Sequence, residues 1–219
     1  MELELEVRRA RTDDRPATER VMREAFWNRY GPGCCEHYLL HVMRACPAYV
    51  PELDLVATVG GDVVGSSACL RSVVEGDDGV ARAVLSLGPI AVLPQHQGAG
   101  AGAALIERSK DEARSLGFGA LLLCGDPAYY GRRGFVPAES RGIRTADDAY
   151  AAALQACELF EGALAGAAGR YVEDAAYEVD EAAAAAYDAR FPARERVVGT
   201  PSQLRFQEMA ARRRDAFGR

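Results

Sequence analysis

The amino-acid sequence predicts an α/β (α+β) fold, a mixed central sheet flanked by helices, with a helical C-terminal extension. Three observations predict it. Residues 85–93, LSLGPIAVL, are an apolar run of strand length that passes through a turn at residues 94–97 into Gly98-Ala99-Gly100-Ala101-Gly102. The chain continues AALIERSKDEARSLG, with Leu105, Ile106, Ala113 and Leu116 on one face of a helix. Residues 120–124, ALLLC, are short and wholly apolar, the pattern of a central strand covered on both faces.

The other elements follow in order. Residues 3–7 alternate apolar residues with glutamates and read as a first strand. Thr12-Asp13-Asp14 is an N-cap cluster for a helix reaching about Trp27, with Val21, Met22, Ala25 and Phe26 inward. Residues 28–33 break it, and a second helix spans 36–46, ended by Pro47. Residues 55–59 and 63–70 flank Gly60-Gly61-Asp62 as a hairpin, and residues 73–74 and 83–87 flank Gly76-Asp77-Asp78-Gly79 as a second one. Gly117-Phe118-Gly119 closes the helix after the glycine stretch. Gly125-Asp126-Pro127 ends the apolar strand, residues 128–133 form a short helix, and Phe135-Val136 begins a last strand. Beyond Arg141 the composition shifts. Residues 146–169 are alanine-rich and read as a helix, residues 171–179 as a strand, 180–189 as a helix, and 204–214 as a terminal helix with a basic end. The expected division is a domain over 1–141 and a helix-rich extension over 142–219 packed on it, with a homodimer interface as the rival use of that extension.

Composition narrows the classes. The chain has 219 residues, enough for one good core with an appendage, and 49% hydrophobic and 26% charged residues. No apolar run approaches the roughly 20 residues of a membrane span. The net charge of −6 argues against nucleic acid as a partner, because such binding rests on cationic contacts to phosphates. Six cysteines form no C-x-x-C, and His37, His41 and His96 give no zinc spacing with them, so no metal is expected. Reduced thiols in a cytoplasmic protein are the expectation.

Strand, glycine-rich turn and helix start together make a phosphate site. The first turn of a helix carries unpaired N–H groups and the positive end of the helix dipole, and glycine lets an anion approach closely. Gly102 is followed by Ala103-Ala104 rather than Lys-Ser/Thr, which excludes a Walker A loop. A dinucleotide fingerprint has glycine, or a tolerated alanine, where Ala103 stands, but also a carboxylate after the next strand, where Leu123-Cys124-Gly125 stands, so a dinucleotide binder ranks last. Gln97-x-x-Gly100-x-Gly102, with Val92-Leu93-Pro94 before it and Tyr129-Tyr130-Gly131-Arg132-Arg133-Gly134-Phe135 after the next strand, resembles the GNAT superfamily of acetyl-CoA-dependent N-acyltransferases. The resemblance covers roughly residues 85–137.

The resemblance implies that acetyl-CoA is the co-substrate and that a small-molecule or peptide amine accepts the acetyl group in a ternary complex. It implies that Gln97, Gly98, Ala99, Gly100, Ala101 and Gly102 cradle the pyrophosphate. It also implies that Ile90, Ala91 and Val92, beyond the Gly88-Pro89 break, offer free backbone to the pantetheine arm and thioester. Tyr130 occupies the tyrosine of the family's Y-x-x-x-G-F pattern and would protonate the departing thiolate; an ordinary phenol, with pKa about 10, is protonated at neutral pH. Glu36, His37, Glu52 and Asp54 are candidates for the base, none preferred, beside a water chain. Trp27 and Tyr30 are candidates for the acceptor pocket. The alternative function is a non-catalytic acyl-CoA-binding or regulatory module that keeps the loop and lacks the chemistry.

Overall fold

A computed structural model of the chain describes residues 4–218. Strand β1 (Leu5–Arg9) begins it, so Leu3 of the expected first strand lies outside the described residues. A 3-10 turn at Thr12–Asp14 leads into α1 (Arg15–Phe26), and α2 (Glu36–Met43) follows. The Asp14 carboxylate accepts from the Arg11 N–H at 2.7 Å and holds the start of that turn. Strands β2 (Leu55–Val59), β3 (Asp62–Gly76) and β4 (Ala81–Val92) form an antiparallel meander. β3 is one continuous strand, so the second hairpin expected at residues 73–87 is the far end of a single long β3–β4 ribbon.

After β4 come α3 (Ala101–Ser115), β5 (Ala120–Cys124), α4 (Pro127–Tyr130) with a 3-10 turn at Gly131–Arg133, and β6 (Val136–Pro137). This is the order of elements expected over the first part of the chain. The sheet runs β1-β2-β3-β4-β5 and then continues with β9 (Leu154–Glu158) before β6. The short β7 (Ile143–Arg144) pairs with β10 (Gly169–Val172), which lies against the far end of β3, giving this sheet nine strands among the described residues.

Residues 146–169 are the largest departure from the sequence reading. No helix forms there. β8 (Ala149–Ala151) and β9 are strands, and turns carry the chain on to β10. Alanine favours helix, but the deciding pattern in β9 has a period of two. Leu154 and Ala156 enter the core with Leu122 and Tyr171, whereas Cys157 joins the core formed with Leu121 and Ile106. Gly162 and Gly166 adopt positive φ, which stops a helix from continuing. The helices of the C-terminal part are α5 (Glu181–Asp188) and α6 (Pro201–Ala210), and β11 (Arg213–Asp215) pairs with β8 where the terminal helix was expected to continue. Residues 171–179 are strand only to Val172, followed by a 3-10 turn at Ala175–Tyr177.

Both faces of the sheet centre are covered. Leu85, Leu87, Leu121 and Leu123 face Ile106 and Ala113 of α3, and the alternate residues Val84, Ala120 and Leu122 face the opposite layer. Leu105 of α3 is fully buried. Truncating such a leucine costs about 2–5 kcal/mol, whereas an exposed pair like Arg114–Asp111 on the outer side of α3 contributes about 0–1 kcal/mol, so packing sets the position of this helix. The C-terminal part is tied to α1 and α2 by polar contacts. Arg23 donates from Nε to Asp188 at 2.6 Å and from Nη2 to the Pro192 carbonyl at 3.0 Å, and Trp27 Nε1 donates to the Glu195 carbonyl at 2.8 Å. No helix among the described residues is long and apolar enough to cross a membrane.

Candidate active site

The site begins where two neighbouring strands part. β4 and β5 run parallel and pair only at Leu85–Leu121 and Ser86–Leu122. Beyond that point β4 continues to Val92 and β5 diverges. The cause is local to Gly88-Pro89. From Ser67 to Cys69 on β3 the register advances two residues, while β4 passes from Ile90 to Leu87, so β4 carries an extra residue there. Proline removes a ladder donor, and a bulge bends the strand away. The Tyr177 hydroxyl, from the turn after β10, donates to the Gly88 carbonyl at 2.8 Å.

The bulge fixes which backbone groups face the gap. Leu93 N–H donates to the Val64 carbonyl at 2.8 Å, and Val92 stands opposite Gly65. Bonded and non-bonded pairs alternate in an antiparallel ladder, so Ala91 pairs toward β3 while Ile90 and Val92 present their backbone to the gap. Gln97 Nε2 donates to the Val92 carbonyl at 3.0 Å, so the Gln97 side chain caps the mouth of this open edge.

At that mouth stands the N-terminus of α3. Gly98 (φ 82°) and Gly100 (φ 91°) are both left-handed, which carries the chain from the Pro94–His96 turn into the helix without a side chain in the way. Gly100 is the N-cap and its carbonyl accepts from Ala104 N–H at 2.9 Å, so the N–H groups just before Ala104 have no partner in the helix. They and the helix dipole favour an anion at this end. A Cβ on Gly102 would lie 2.7 Å from the Tyr129 hydroxyl, so that hydroxyl rests against the first turn of α3.

Tyr130 is set by several contacts. The Asp126 carboxylate caps α4, accepting from Ala128 N–H at 2.9 Å, and the Tyr130 N–H donates to the Asp126 carbonyl at 3.0 Å. The Tyr130 ring stands edge-on to Tyr129 (5.0 Å) and Phe135 (5.6 Å) and lies over Gly125, where a Cβ would fall 2.2 Å from a ring carbon. Lys110 of α3 donates to the Arg133 carbonyl, tying the turn after α4 to α3. Burial, with smaller effects from Tyr30 and Tyr129, pushes the Tyr130 phenol well above its ordinary range.

Strand gap, helix end and tyrosines bound one cleft of about 410 Å³. Of the residues expected to form the site, Ile90, Ala91, Val92, Gln97, Gly98, Gly102 and Tyr130 line it. Gly100 stands behind them as the N-cap, and Ala99 and Ala101 face a different hollow, beside Leu5 and Val59. Tyr30 lines the cleft, but Trp27 does not; its ring is flanked by Arg23 at 4.4 Å and Arg194 at 5.3 Å and holds down the C-terminal segment. The cleft also takes in Phe26, Arg29, Cys124, Asp126 and Tyr129, which the sequence reading assigned no role in the site. Asp126-Pro127 carried a signal, an N-cap before a first-turn proline; Phe26, Arg29 and Cys124 carried none, since only tertiary packing brings them there. α6 closes the outer side, with Phe206 against Tyr30 at 4.6 Å and Arg205 paired with Asp126.

The four candidate bases lie apart from this cleft. Asp54 is buried in an ion pair with Arg44 at 2.9 Å. Glu52 sits in the Pro51–Leu53 turn before β2. His37 is fully buried, 3.2 Å from Asp188, and burial lowers its pKa. Glu36, whose carboxyl burial pushes up, accepts from Cys35 N–H at 3.0 Å and lines a second hollow that shares Phe26 and Tyr30 with the cleft.

Comparison with known proteins agrees with this geometry. The model of the acetyltransferase (GNAT) family matches residues 20–135. The uncharacterized N-acetyltransferase YhbS of Escherichia coli is 29% identical over 157 residues, 71% of this chain and 88% of that protein. The uncharacterized N-acetyltransferase YjhQ of E. coli is 34% identical over 88 residues, so the matched stretch spans only 48% of YjhQ and 40% of this chain. The crystal structure of E. coli YhbS in complex with CoA superposes with a TM-score of 0.71 at 26% identity, covering 81% of this chain and 93% of that one. A GNAT family acetyltransferase from Brucella melitensis in complex with acetyl-CoA superposes with a TM-score of 0.62 at 25% identity, covering 80% of this chain and 98% of that one. The parted strands, the glycine-led helix and the Y-x-x-x-G-F tyrosine therefore lie within a matched family region that takes in more than half of the sequence, and the chain belongs to the GNAT family of N-acetyltransferases.

Proposed function

We propose that the chain transfers an acetyl group from acetyl-CoA to a primary amine by direct attack in a ternary complex. The observation that carries the reading is the alignment of three groups along one cleft: the N-terminus of α3 with its unpartnered N–H groups, the open β4 edge at Ile90 and Val92, and the Tyr130 phenol. The diphosphate fits the helix end, where Gly98 and Gly100 keep side chains out of the turn. The pantetheine arm fits the strand gap, where it can add as a short strand to the backbone that Ile90 and Val92 turn toward it, the Val92 carbonyl being already capped by Gln97. A backbone N–H from that edge would polarise the thioester carbonyl, and Tyr130 would return a proton to the thiolate as the C–S bond breaks.

Direct transfer is favoured over an acyl-enzyme by the state of the one thiol in the cleft. The surrounding protein, and next the charge of Glu173, push the Cys124 thiol up to about 12, which disfavours the thiolate that a covalent acyl-enzyme needs. The deciding experiment follows thiol release from acetyl-CoA against a panel of primary amines, with CoA binding measured alongside by calorimetry. Amine-dependent thiol release supports transfer. CoA binding with no release for any amine would instead indicate the non-catalytic module.

Hydrogen exchange reads the cofactor path independently of turnover. The amides of Ile90 and Val92 are expected to gain protection when CoA binds, while Ala91, which pairs toward β3, is protected with and without it. Equal protection of Ile90 and Val92 in both states would remove the strand gap from the binding path.

A further inference from the structure

We propose that Glu173 is the general base of the acetyl transfer, taking the proton from the acceptor ammonium at the vertex where β4 and β5 part. The assignment rests on the proposed acetyltransferase reading and supplies the group that none of the four candidate bases in the sequence provides.

The placement comes from two directions. Glu173 follows β10, and its Oε1 accepts from the Tyr171 hydroxyl at 3.2 Å. Tyr171 is buried and its hydroxyl also meets the Ser86 hydroxyl, which in turn meets Ser72. Ser86 is the last β4 residue paired with β5. The carboxylate is therefore linked to the vertex of the strand gap through one tyrosine. From the other side, the Glu173 charge acts on the Cys124 thiol, and Cys124 ends β5 and lines the cleft. Tyr177, whose hydroxyl holds the Gly88 carbonyl at the bulge, feels the same charge. Glu173 thus touches Tyr171, is joined through it to Ser86 of β4, and lies near enough for its charge to be felt at Cys124 of β5 and at Tyr177. Two further charges stand in this group: Arg213 of β11, which acts on Cys124, and Asp174, whose carboxylate accepts from Cys46 and from the Ala176 N–H.

The chemistry of the carboxyl suits the role. Glu173 is exposed to solvent, so an acceptor can reach it, yet surrounding protein pushes its pKa upward against the opposing hydrogen bond from Tyr171. A carboxylate whose pKa is raised holds a proton more strongly than an ordinary glutamate, which is the direction a general base needs. The steps balance. The ammonium N–H bond breaks and its proton passes to Glu173 Oε, which later releases it to solvent. The neutral nitrogen attacks the thioester carbon, the C–S bond breaks, and Tyr130 protonates the sulfur. The second nitrogen proton, lost as the amide forms, restores the Tyr130 phenol by way of solvent. One proton is released for each acetyl transferred.

The test uses the full chain with any amine that the panel yields. Glu173→Gln is expected to lower kcat by about 10²–10⁴-fold with CoA affinity unchanged by calorimetry, and to remove the acidic limb of the kcat–pH profile. Glu173→Asp should recover part of the rate with the limb restored. Tyr171→Phe leaves the carboxylate in place and removes the hydrogen bond that opposes the upward shift, so the acidic limb should move to higher pH. A Gln variant with normal kcat and an intact acidic limb, or a Tyr171→Phe limb that stays in place, overturns the assignment. Where Glu173→Gln fails to fold by circular dichroism, the Tyr171→Phe limb alone decides. Loss of the Tyr130 effect with the Glu173 effects intact would strike the proposed acid and not this base. Absence of turnover by the unaltered chain with every amine overturns both readings.

Discussion

Tyr130→Phe is expected to lower kcat by about 10²–10⁴-fold while coenzyme A affinity stays near that of the unaltered chain. The ring keeps its edge contacts with Tyr129 and Phe135, so the loss isolates the hydroxyl. The neighbouring tyrosine is an informative partner because its hydroxyl points elsewhere. Tyr129 rests against Gly102 at the start of α3, so Tyr129→Phe should disturb coenzyme A affinity and spare kcat. Gly125→Ala provides a second route to the same conclusion: its methyl would overlap the Tyr130 ring and should reduce kcat with the hydroxyl still present. The pH sign follows from burial. The phenol is held above its ordinary pKa of about 10, so any alkaline loss of rate from its ionisation begins above that value. Steady-state kinetics and calorimetry on the three variants test this; a Tyr130→Phe enzyme with near-normal kcat sinks the acid assignment.

Gly100→Glu is expected to weaken coenzyme A binding by more than tenfold with the fold retained. Gly100 holds φ 91° at the N-cap of α3, a conformation that costs an L-residue about 1–2 kcal/mol. No heavy atom lies within 4 Å of the position a Cβ would take, so the new side chain enters open space at the helix end instead of breaking the core. There its charge opposes the diphosphate where the helix dipole had favoured it. Gly100→Ala carries the strain without the charge. Comparing the two by calorimetry and thermal melting separates backbone cost from repulsion. Equal affinity of the folded Glu variant and the unaltered chain would remove the helix end from the binding path.

The path from β4 through α3 to Tyr130 was legible because each step is local. A strand-length apolar run, left-handed glycines before a helix pattern and a tyrosine four residues before Gly134 all occur within a short span, and the structure assembles them into one cleft. The far side was not legible. Tyr177 meets the bulge and α6 closes the cleft from long sequence distances, Glu173 joins them only through Tyr171, and nothing in their local pattern marks them. Trp27 illustrates the converse: an aromatic at a helix end beside a cleft, it serves to anchor residues 194–195. Residues 146–169 misled for another reason. Alanine content outweighed a short period-two pattern in residues 154–157 that is visible only when the two faces of β9 are known.

The position of β9 has a consequence for how the protein is made. A ribosome delivers β5 well before β9, although β9 is the strand that lies beside it and separates it from β6. Until β9 emerges, β5 has two pairs to β4 on one side and a bare apolar edge on the other. Synthesis proceeds at about 5–20 residues per second, so that edge stays open for seconds in every nascent chain. A message truncated after Arg141 would leave it open permanently. The chain is therefore expected to depend on holding factors or slow-free translation between β5 and β9, and ribosome-bound intermediates stalled there should be the aggregation-prone ones.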